Sequence, residues 1–208
     1  MKLKALVLAL LLVVLGSISI GTLAYFTADT TAHNVITSGG VEIELVETTI
    51  QDGAEIPFPK EGLTGIMPGV DASKIVKVEN TGASAAWIRV KLEKVVTLAD
   101  GTRGDKLPDG TDAVTYEISN PEMWLTKEGD TEGWYYYKDP VPANQGEDSF
   151  TETILETVKF SPKMGNEYQS KSETECTVAE VIVSAQAVQV ANNGTDVLTA
   201  QGWPEIEG

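Results

Sequence analysis

The sequence predicts an all-β protein: an antiparallel β-sandwich of jelly-roll type, with about eight strands, that follows a cleavable N-terminal signal peptide. Three observations predict this fold class. Short segments of alternating apolar and polar residues recur along the chain, turns rich in Gly, Pro, Asn and Asp separate them, and no convincing long helix is present. Nothing repeats at a fixed period, which argues against a solenoid or a propeller.

Alternating segments predict the individual strands. In the first of them, apolar residues alternate with Glu42 and Glu44, as expected for a half-buried strand. The predicted strands cover residues 41–47, 73–79, 86–96, 114–118, 134–138, 151–160 and 176–190. The sequence Asn-Thr-Gly at 80–82 separates two of these strands and predicts a hairpin.

The segments between the strands are predicted as turns and loops. Residues 51–65 are turn-rich, and Pro57 and Pro59 argue against a central strand in this region. Residues 121–124 predict a turn or a single helical turn. Residues 196–201 predict one or two helical turns.

The N-terminal residues have the parts of a secretory leader. Lys2 and Lys4 precede an apolar run over residues 5–15, and small residues follow it up to Ala24. A charged start, an apolar centre and small residues before the cleavage point are typical of a signal peptide. We therefore predict cleavage between Ala24 and Tyr25.

The alternative for this leader is a retained membrane anchor. Residues 5–26 are long enough to span a bilayer, which needs about 20 apolar residues. Small and polar residues dilute the second half, and no cluster of Lys or Arg follows, so cleavage is favoured. The predicted organisation is a signal peptide at 1–24, an N-terminal assembly segment at 25–38 and a β-sandwich domain at 39–208.

The charge of the chain excludes several partners. Removing the 24 leader residues from 208 leaves 184, and removing the leader's two Lys takes the net charge from −16 to −18. Such a surface repels nucleic acid and anionic lipid headgroups. We expect no nucleic-acid partner and membrane contact only through the leader before cleavage. Salt or acid should favour self-association, because both weaken the repulsion between copies.

The residues that catalysis or metal binding would need are scarce. His33 is the single histidine, Cys176 is the single cysteine, and no H-E-x-x-H motif is present. Zinc enzymes need several such ligands, and a Ser or Cys nucleophile usually needs a His base. Cys176 is interpreted as a small buried residue, and no intramolecular disulfide is possible. We predict no catalytic residue, no metal and no cofactor.

Two binding sites remain as alternatives at this stage. The acidic loops at 100–112 and 128–132 offer oxygen ligands for calcium, although Asp-Gly pairs are ordinary turn sequences and turns are favoured. The aromatic run at 134–137 would suit stacking against a sugar. Because alternate rings in a strand face opposite sides, we favour Trp134 and Tyr136 as core residues, with Tyr135 and Tyr137 half exposed.

Several motifs resemble one family. The sequence Gly-Thr-Leu-Ala-Tyr-Phe-Thr-Ala-Asp at 21–29 resembles the leader junction of precursors cut by the SipW-type signal peptidase. Residues 34–45 are similar to the first strand of the TasA/camelysin (CalY) family of biofilm-matrix proteins. Further resemblance to that family lies at residues 68–69, 76–82, 87–92, 185–189 and 200–204, whereas 99–152 has no matching motif.

The resemblance implies an extracellular jelly roll, processed by a SipW-type signal peptidase and assembled into matrix fibres. The lack of a possible disulfide suits export to the surface of a Gram-positive bacterium. In such fibres the N-terminal segment of one subunit adds a strand to the next. Camelysin members have been called metalloproteases, which implies a secreted peptidase as an alternative. His33 is the single histidine available for that activity.

Strand addition also has a physical basis in the residues. Each backbone hydrogen bond contributes about 0.5–1.5 kcal/mol, whereas ordering each residue costs about 1–2 kcal/mol. Apolar anchors must therefore tip the balance, at about 1.5–3 kcal/mol per buried side chain. The candidate anchors are Tyr25, Phe26, Val35 and Ile36. The alternatives are that residues 25–38 fold back onto their own domain or stay disordered.

The sequence thus favours a secreted structural protein that self-associates into fibres and is not an enzyme. Two other functions stay open at this point. One is a camelysin-like secreted or cell-surface metallopeptidase, and the other is a monomeric adhesin or sugar-binding module that uses the aromatic strand.

Overall fold

The computed structural model describes residues 41–60, 62–63, 66–143, 146–164 and 177–204, together with the backbone of 34–38. These residues form strands and one short 3-10 helix, η1 at Gly146–Ser149. The strands are β1 Asn34–Ser38, β2 Ile43–Gln51, β3 Ala54–Pro57, β4 Asp71–Asn80, β5 Ala86–Thr97, β6 Arg103–Gly104, β7 Val114–Tyr116, β8 Trp124–Thr126, β9 Trp134–Tyr137, β10 Leu155–Phe160 and β11 Val178–Gln189.

The strands form two sheets. The first sheet has the order β1-β11-β5-β9-β8, with β6 added to the end of β5. The second sheet has the order β3-β2-β4-β10-β7. The pairings between described strands are antiparallel except that of β1 with β11, which is parallel. The prediction of an all-β protein built from antiparallel sheets is confirmed.

The longest ladder joins β5 to β11. Their register runs without interruption from the Ala86–Gln189 pair to the Thr97–Val178 pair. The alternation of apolar residues in both strands explains this pairing, because each strand directs one face into the space between the sheets. Ile88, Val90 and Ala185 are among the residues fully buried there.

The predicted hairpin across residues 80–82 is wrong. β4 belongs to the second sheet and β5 to the first, so the turn carries the chain from one sheet to the other. The Asn80 side chain fixes this arch. Its Nδ2 donates to Ser84 O and Val141 O, both at 2.9 Å, and its Oδ1 accepts from Gly82 N at 3.1 Å.

The arch also explains the glycine at its start. A Cβ on Gly82 would lie 2.6 Å from the backbone nitrogen of Glu42, well inside van der Waals contact. The N–H groups of Thr81 and Gly82 both donate to Glu42 O at 3.0 Å. The backbone of Gly82 therefore packs directly against the backbone of Glu42, just before β2, and leaves no space for a side chain.

Two other local predictions are wrong in part, whereas the prediction that residues 51–65 contain no central strand is confirmed. Residues 121–123 form a turn, but Trp124 begins strand β8, because its buried ring is anchored by a hydrogen bond from Nε1 to Glu152 O at 3.2 Å. Residues 54–57 form β3, an edge strand, which is compatible with the proline that ends it. Residues 196–201 form turns and no helix.

The sandwich has two ends, defined by its strand connections. The arch end contains Ser38, Ile43, Asn80, Ala86 and Val188. The opposite end, called the cleft end below, contains Gln51, Asp71, Thr97 and Val178. In the part of the chain that the structure describes, no helix is long and apolar enough to span a membrane.

Candidate assembly site

The described part of the N-terminal assembly segment is the edge strand β1. It pairs with β11 in parallel, with Asn34 opposite Ser184 and Ser38 opposite Val188. Glycines occupy both positions between β1 and Val41 in the sequence. The fold-back alternative is thus the arrangement found for residues 34–38 within the single chain.

The predicted site residues divide into two groups. Val35 and Ile36 lie on β1, opposite Ala185 and Gln186 of β11. The other predicted positions lie outside the described residues: Ala24, Tyr25, Phe26, His33 and Cys176. The structure therefore brings Val35 and Ile36 to one sheet edge and leaves the cleavage site and the first two anchors as predictions.

The face of the first sheet that points away from the sandwich interior is covered by the C-terminal residues. Trp87, Trp134, Tyr136 and Val188 form a second apolar cluster there with residues of 197–203. Asn193 holds this cover in place through two hydrogen bonds with the backbone of Gln201, at 2.9 and 2.8 Å. The sequence alternation placed Trp87 and Arg89 on one face, but it gave no indication that the C-terminal residues would bury that face.

Arg89 lies within this second cluster and is only 8% exposed. Its Nε and Nη2 donate to Gln186 Oε1 at 3.0 and 2.7 Å, and its Nη1 donates to the Tyr136 hydroxyl at 3.2 Å. The guanidinium stacks on Trp134 at 4.1 Å and on Trp203 at 4.7 Å. Neutral oxygens and aromatic faces thus stabilise a buried cation, and sequence reasoning did not single out this residue.

Tyr136 connects Arg89 to the acidic loop that precedes β9. The Tyr136 hydroxyl donates to Asp130 Oδ2 at 3.2 Å. Burial raises the pKa of Tyr136, and the hydrogen bond from Arg89 opposes that rise. The phenol therefore stays protonated at neutral pH and can act as a donor and an acceptor at once.

The aromatic strand β9 is largely buried, which corrects one part of the prediction. Trp134 and Tyr136 are core residues, as predicted, and Tyr135 is half-buried. Tyr137 is only 7% exposed, because it faces the interior between the sheets and packs on Trp124 with ring centroids 5.0 Å apart. Tyr135 is therefore the ring of this strand that stays partly exposed.

The acidic loops use their carboxylates to close their own turns. Asp100, Asp109 and Asp130 each accept the backbone N–H of the residue two positions later, at 2.9, 2.9 and 2.8 Å. These hydrogen bonds lower the pKa of Asp100 and Asp109. Among the described residues, no three His, Cys, Asp or Glu side chains come together as a possible metal site.

A cleft opens at the cleft end, where β2 and β4 separate. The backbone pairing of β2 with β4 ends at the Thr48–Ile75 pair. Beyond that pair, hydrogen bonds of side-chain hydroxyls connect the two strands. Ile50 N donates to Ser73 Oγ at 2.7 Å, and the Thr49 and Ser73 hydroxyls are 2.8 Å apart. The resulting cleft has a volume of about 530 Å³.

The walls of the cleft combine apolar and polar residues in about equal measure. They include Ile50, Leu63, Ile66 and Val70, and Asp71 is the charged residue among the described lining. Next to the cleft, the buried Lys74 ammonium pairs with Glu47 at 2.7 Å and lies 4.6 Å from the centre of the Phe58 ring. This ion pair fixes β2 to β4 just before the two strands separate.

Comparisons of the chain with protein-family models, with curated proteins and with solved structures found no match. The function proposed below therefore depends on the sequence and on the geometry of the described residues.

Proposed function

We propose that this protein is a secreted structural subunit, without enzymatic activity, that assembles into extracellular fibres or a cell-surface matrix. Assembly occurs when the N-terminal segment of one subunit, residues 25–38, adds a strand to the first sheet of a neighbour. The observation that carries the proposal is β1, a five-residue strand at a sheet edge that pairs in parallel with β11. Strand addition at a sheet edge is an established mode of binding.

The energetics of β1 permit its exchange between copies. Ordering five residues costs about 5–10 kcal/mol of backbone entropy, while each hydrogen bond contributes about 0.5–1.5 kcal/mol. Backbone pairing alone therefore does not hold β1 firmly in its own sheet. Because a second copy presents the same β11 edge, the strand makes the same hydrogen bonds there, as in domain swapping.

Export and processing complete the proposal. The leader directs the chain to the surface of a Gram-positive bacterium, and a SipW-type signal peptidase cuts before Tyr25. Cleavage removes the tether to the membrane and frees the N-terminal segment to reach a neighbouring subunit. The jelly-roll arrangement of the sandwich and the resemblance to the TasA/camelysin family belong to the same proposal.

The test compares two secreted forms by electron microscopy over a range of salt and pH. One begins at Tyr25, and the other lacks residues 25–37. We expect fibres from the first form and only isolated particles from the second. Equal assembly of both forms would exclude strand addition by this segment.

The matched control keeps the segment and changes a residue far from it. Lys127→Ala, in the exposed loop between β8 and β9, should assemble like the unchanged protein. The same preparations are assayed for casein cleavage with and without a chelator. Proteolysis that the chelator abolishes would replace the structural proposal with the metallopeptidase alternative.

A further inference from the structure

We infer that the cleft between β2 and β4 is the docking site for residues 25–28 of a second copy of this chain. This inference rests on the strand addition proposed above and names the surface that receives the leading anchors, Tyr25 and Phe26. It assigns a role to a cleft that strand pairing at β11 does not use.

Exposed apolar side chains lie at the cleft. Among the described residues, the large apolar side chains that are exposed are Ile50, Met67 and Val70, at 47%, 62% and 41%. Ile50 and Val70 line the cleft, whereas Met67 lies outside its described lining. Exposed apolar side chains that share one cleft are typical of interaction sites. The volume, about 530 Å³, lies in the range of sites that enclose a small ligand.

The cleft carries little charge compared with the strongly acidic chain. The whole chain carries a net charge of −16, yet the described lining of the cleft carries only Asp71. The Asp71 carboxylate disfavours an acidic segment of another copy, so an uncharged or positive occupant fits the cleft better. Residues 25–28, Tyr-Phe-Thr-Ala, have no charged side chain. Cleavage after Ala24 adds an α-amino group, which complements the Asp71 carboxylate.

β1 begins on the side of the cleft end and runs towards the arch end. Its parallel register runs from Ser184 to Val188, so β1 ends at the arch end and its first residue, Asn34, is the one nearer the cleft end. β2 runs back from Ile43 to Gln51 and reaches the same end. A donor strand that takes the register of β1 therefore directs its upstream residues towards the cleft.

The length of the chain before β1 is sufficient to reach the cleft. Nine residues, 25–33, precede Asn34 in the cleaved chain and span up to about 30 Å when extended. β2 itself has nine residues and covers a comparable distance. The anchors can therefore pass the end of β2 and turn into the space between Ile50 and Val70.

The test uses cysteine pairs placed on separate copies. One copy carries Phe26→Cys and the other carries Val70→Cys, both in a Cys176→Ser background, and both are secreted as full chains with their own leader. We expect a disulfide-linked dimer from the mixture under conditions that give fibres. Lys127→Cys in place of Val70→Cys is the control and should give no such dimer.

Two outcomes would overturn the inference. The first is a mixture that forms no dimer. The second is a chain carrying both Phe26→Cys and Val70→Cys that forms a disulfide only within itself, because the occupant of the cleft would then be the chain's own segment.

A second pair of variants separates this inference from the proposed function. Ile50→Asp places a charge in the cleft, whereas Met67→Asp changes a more exposed residue outside its described lining. We expect Ile50→Asp to raise the protein concentration needed for fibres by at least about ten-fold, the equivalent of one lost apolar contact, and Met67→Asp to raise it far less. Circular dichroism verifies that both variants stay folded.

The outcomes of this experiment distinguish failure of the proposed function from failure of the cleft inference. If the unchanged protein forms no fibres, the proposed function fails and the cleft inference fails with it. If the unchanged protein forms fibres and Ile50→Asp assembles equally well, strand addition stands and the role of the cleft alone is contradicted.

Discussion

Arg89 directs two N–H groups at one oxygen of Gln186, with Nε and Nη2 at 3.0 and 2.7 Å from Oε1. The two residues are opposite each other on β5 and β11. The side-chain contact therefore reinforces the longest ladder of the fold. It also helps to hold β11, the strand against which β1 pairs.

Replacing the acceptor should destabilise the protein. In Gln186→Leu the buried guanidinium loses two hydrogen bonds, and we expect the free energy of unfolding to fall by about 1.5–3 kcal/mol. Chemical denaturation measures the change. Gln189→Leu, at the half-buried end of the same strand, should change it by less than about 0.5 kcal/mol. Equal effects of the two variants would contradict the role assigned to Arg89.

Removing the Trp203 ring, which covers Arg89, should lower the free energy of unfolding by less than Gln186→Leu does. Trp203 is half-buried, stacks on Arg89 at 4.7 Å and contacts Tyr136 edge-on with centroids 5.9 Å apart. We expect Trp203→Ala to lower the free energy of unfolding by about 1–2 kcal/mol, through lost apolar burial and the lost cation–π contact. Trp203→Phe keeps a ring in place and should lose less than half as much. A neutral effect of Trp203→Ala would show that the C-terminal cover contributes no stability.

The arch between the sheets should depend on Asn80. Asn80→Ala removes three hydrogen bonds from a fully buried side chain, and we expect a loss of about 1.5–4 kcal/mol in the free energy of unfolding. Thermal and urea unfolding measure this loss. Ser84→Ala is the matched control, because only the backbone carbonyl of Ser84 takes part in the arch. A loss under about 0.5 kcal/mol for Asn80→Ala would contradict this account of the sheet crossing.

Tyr116 should make stability fall at high pH. Burial, with smaller effects from Tyr135 and Glu93, raises the pKa of Tyr116 from 10.0 to about 12. Because the folded pKa lies above the unfolded one, the stabilising contribution is complete below pH 10 and is lost as the pH rises towards 12. Tyr116→Phe should therefore weaken the fall in unfolding free energy over that interval. An unchanged slope would show that Tyr116 does not titrate as described.

Periodicity predicted the elements that alternate cleanly. In β5 and β11, apolar residues at every second position pack between the sheets, so both strands follow from the local sequence. The edge position of β3 agrees with the proline argument, because an edge strand tolerates a missing N–H donor. These features depend on neighbouring residues alone, which is why a single sequence is enough to predict them.

Features that depend on distant residues could not be predicted in this way. Tyr137 is buried because Trp124 and the second sheet cover it, and Arg89 is buried because Trp203 lies over it. The turn at residues 80–82 has the sequence of a hairpin, but hydrogen bonds of the Asn80 side chain, including one to Val141 O, direct the chain into the other sheet. The cleft likewise arises where β2 and β4 separate, which no local pattern records.

The most direct test of strand addition asks whether β1 pairs with β11 of another copy. Val35 and Ala185 are register partners, so Val35→Cys is placed on one copy and Ala185→Cys on another, both with Cys176→Ser. Disulfide formation in the mixture is followed on non-reducing gels under fibre-forming conditions. The account predicts a dimer linked between copies. No dimer from the mixture, together with an intrachain disulfide when both cysteines are on one chain, would contradict it, since β1 would then stay in its own sheet.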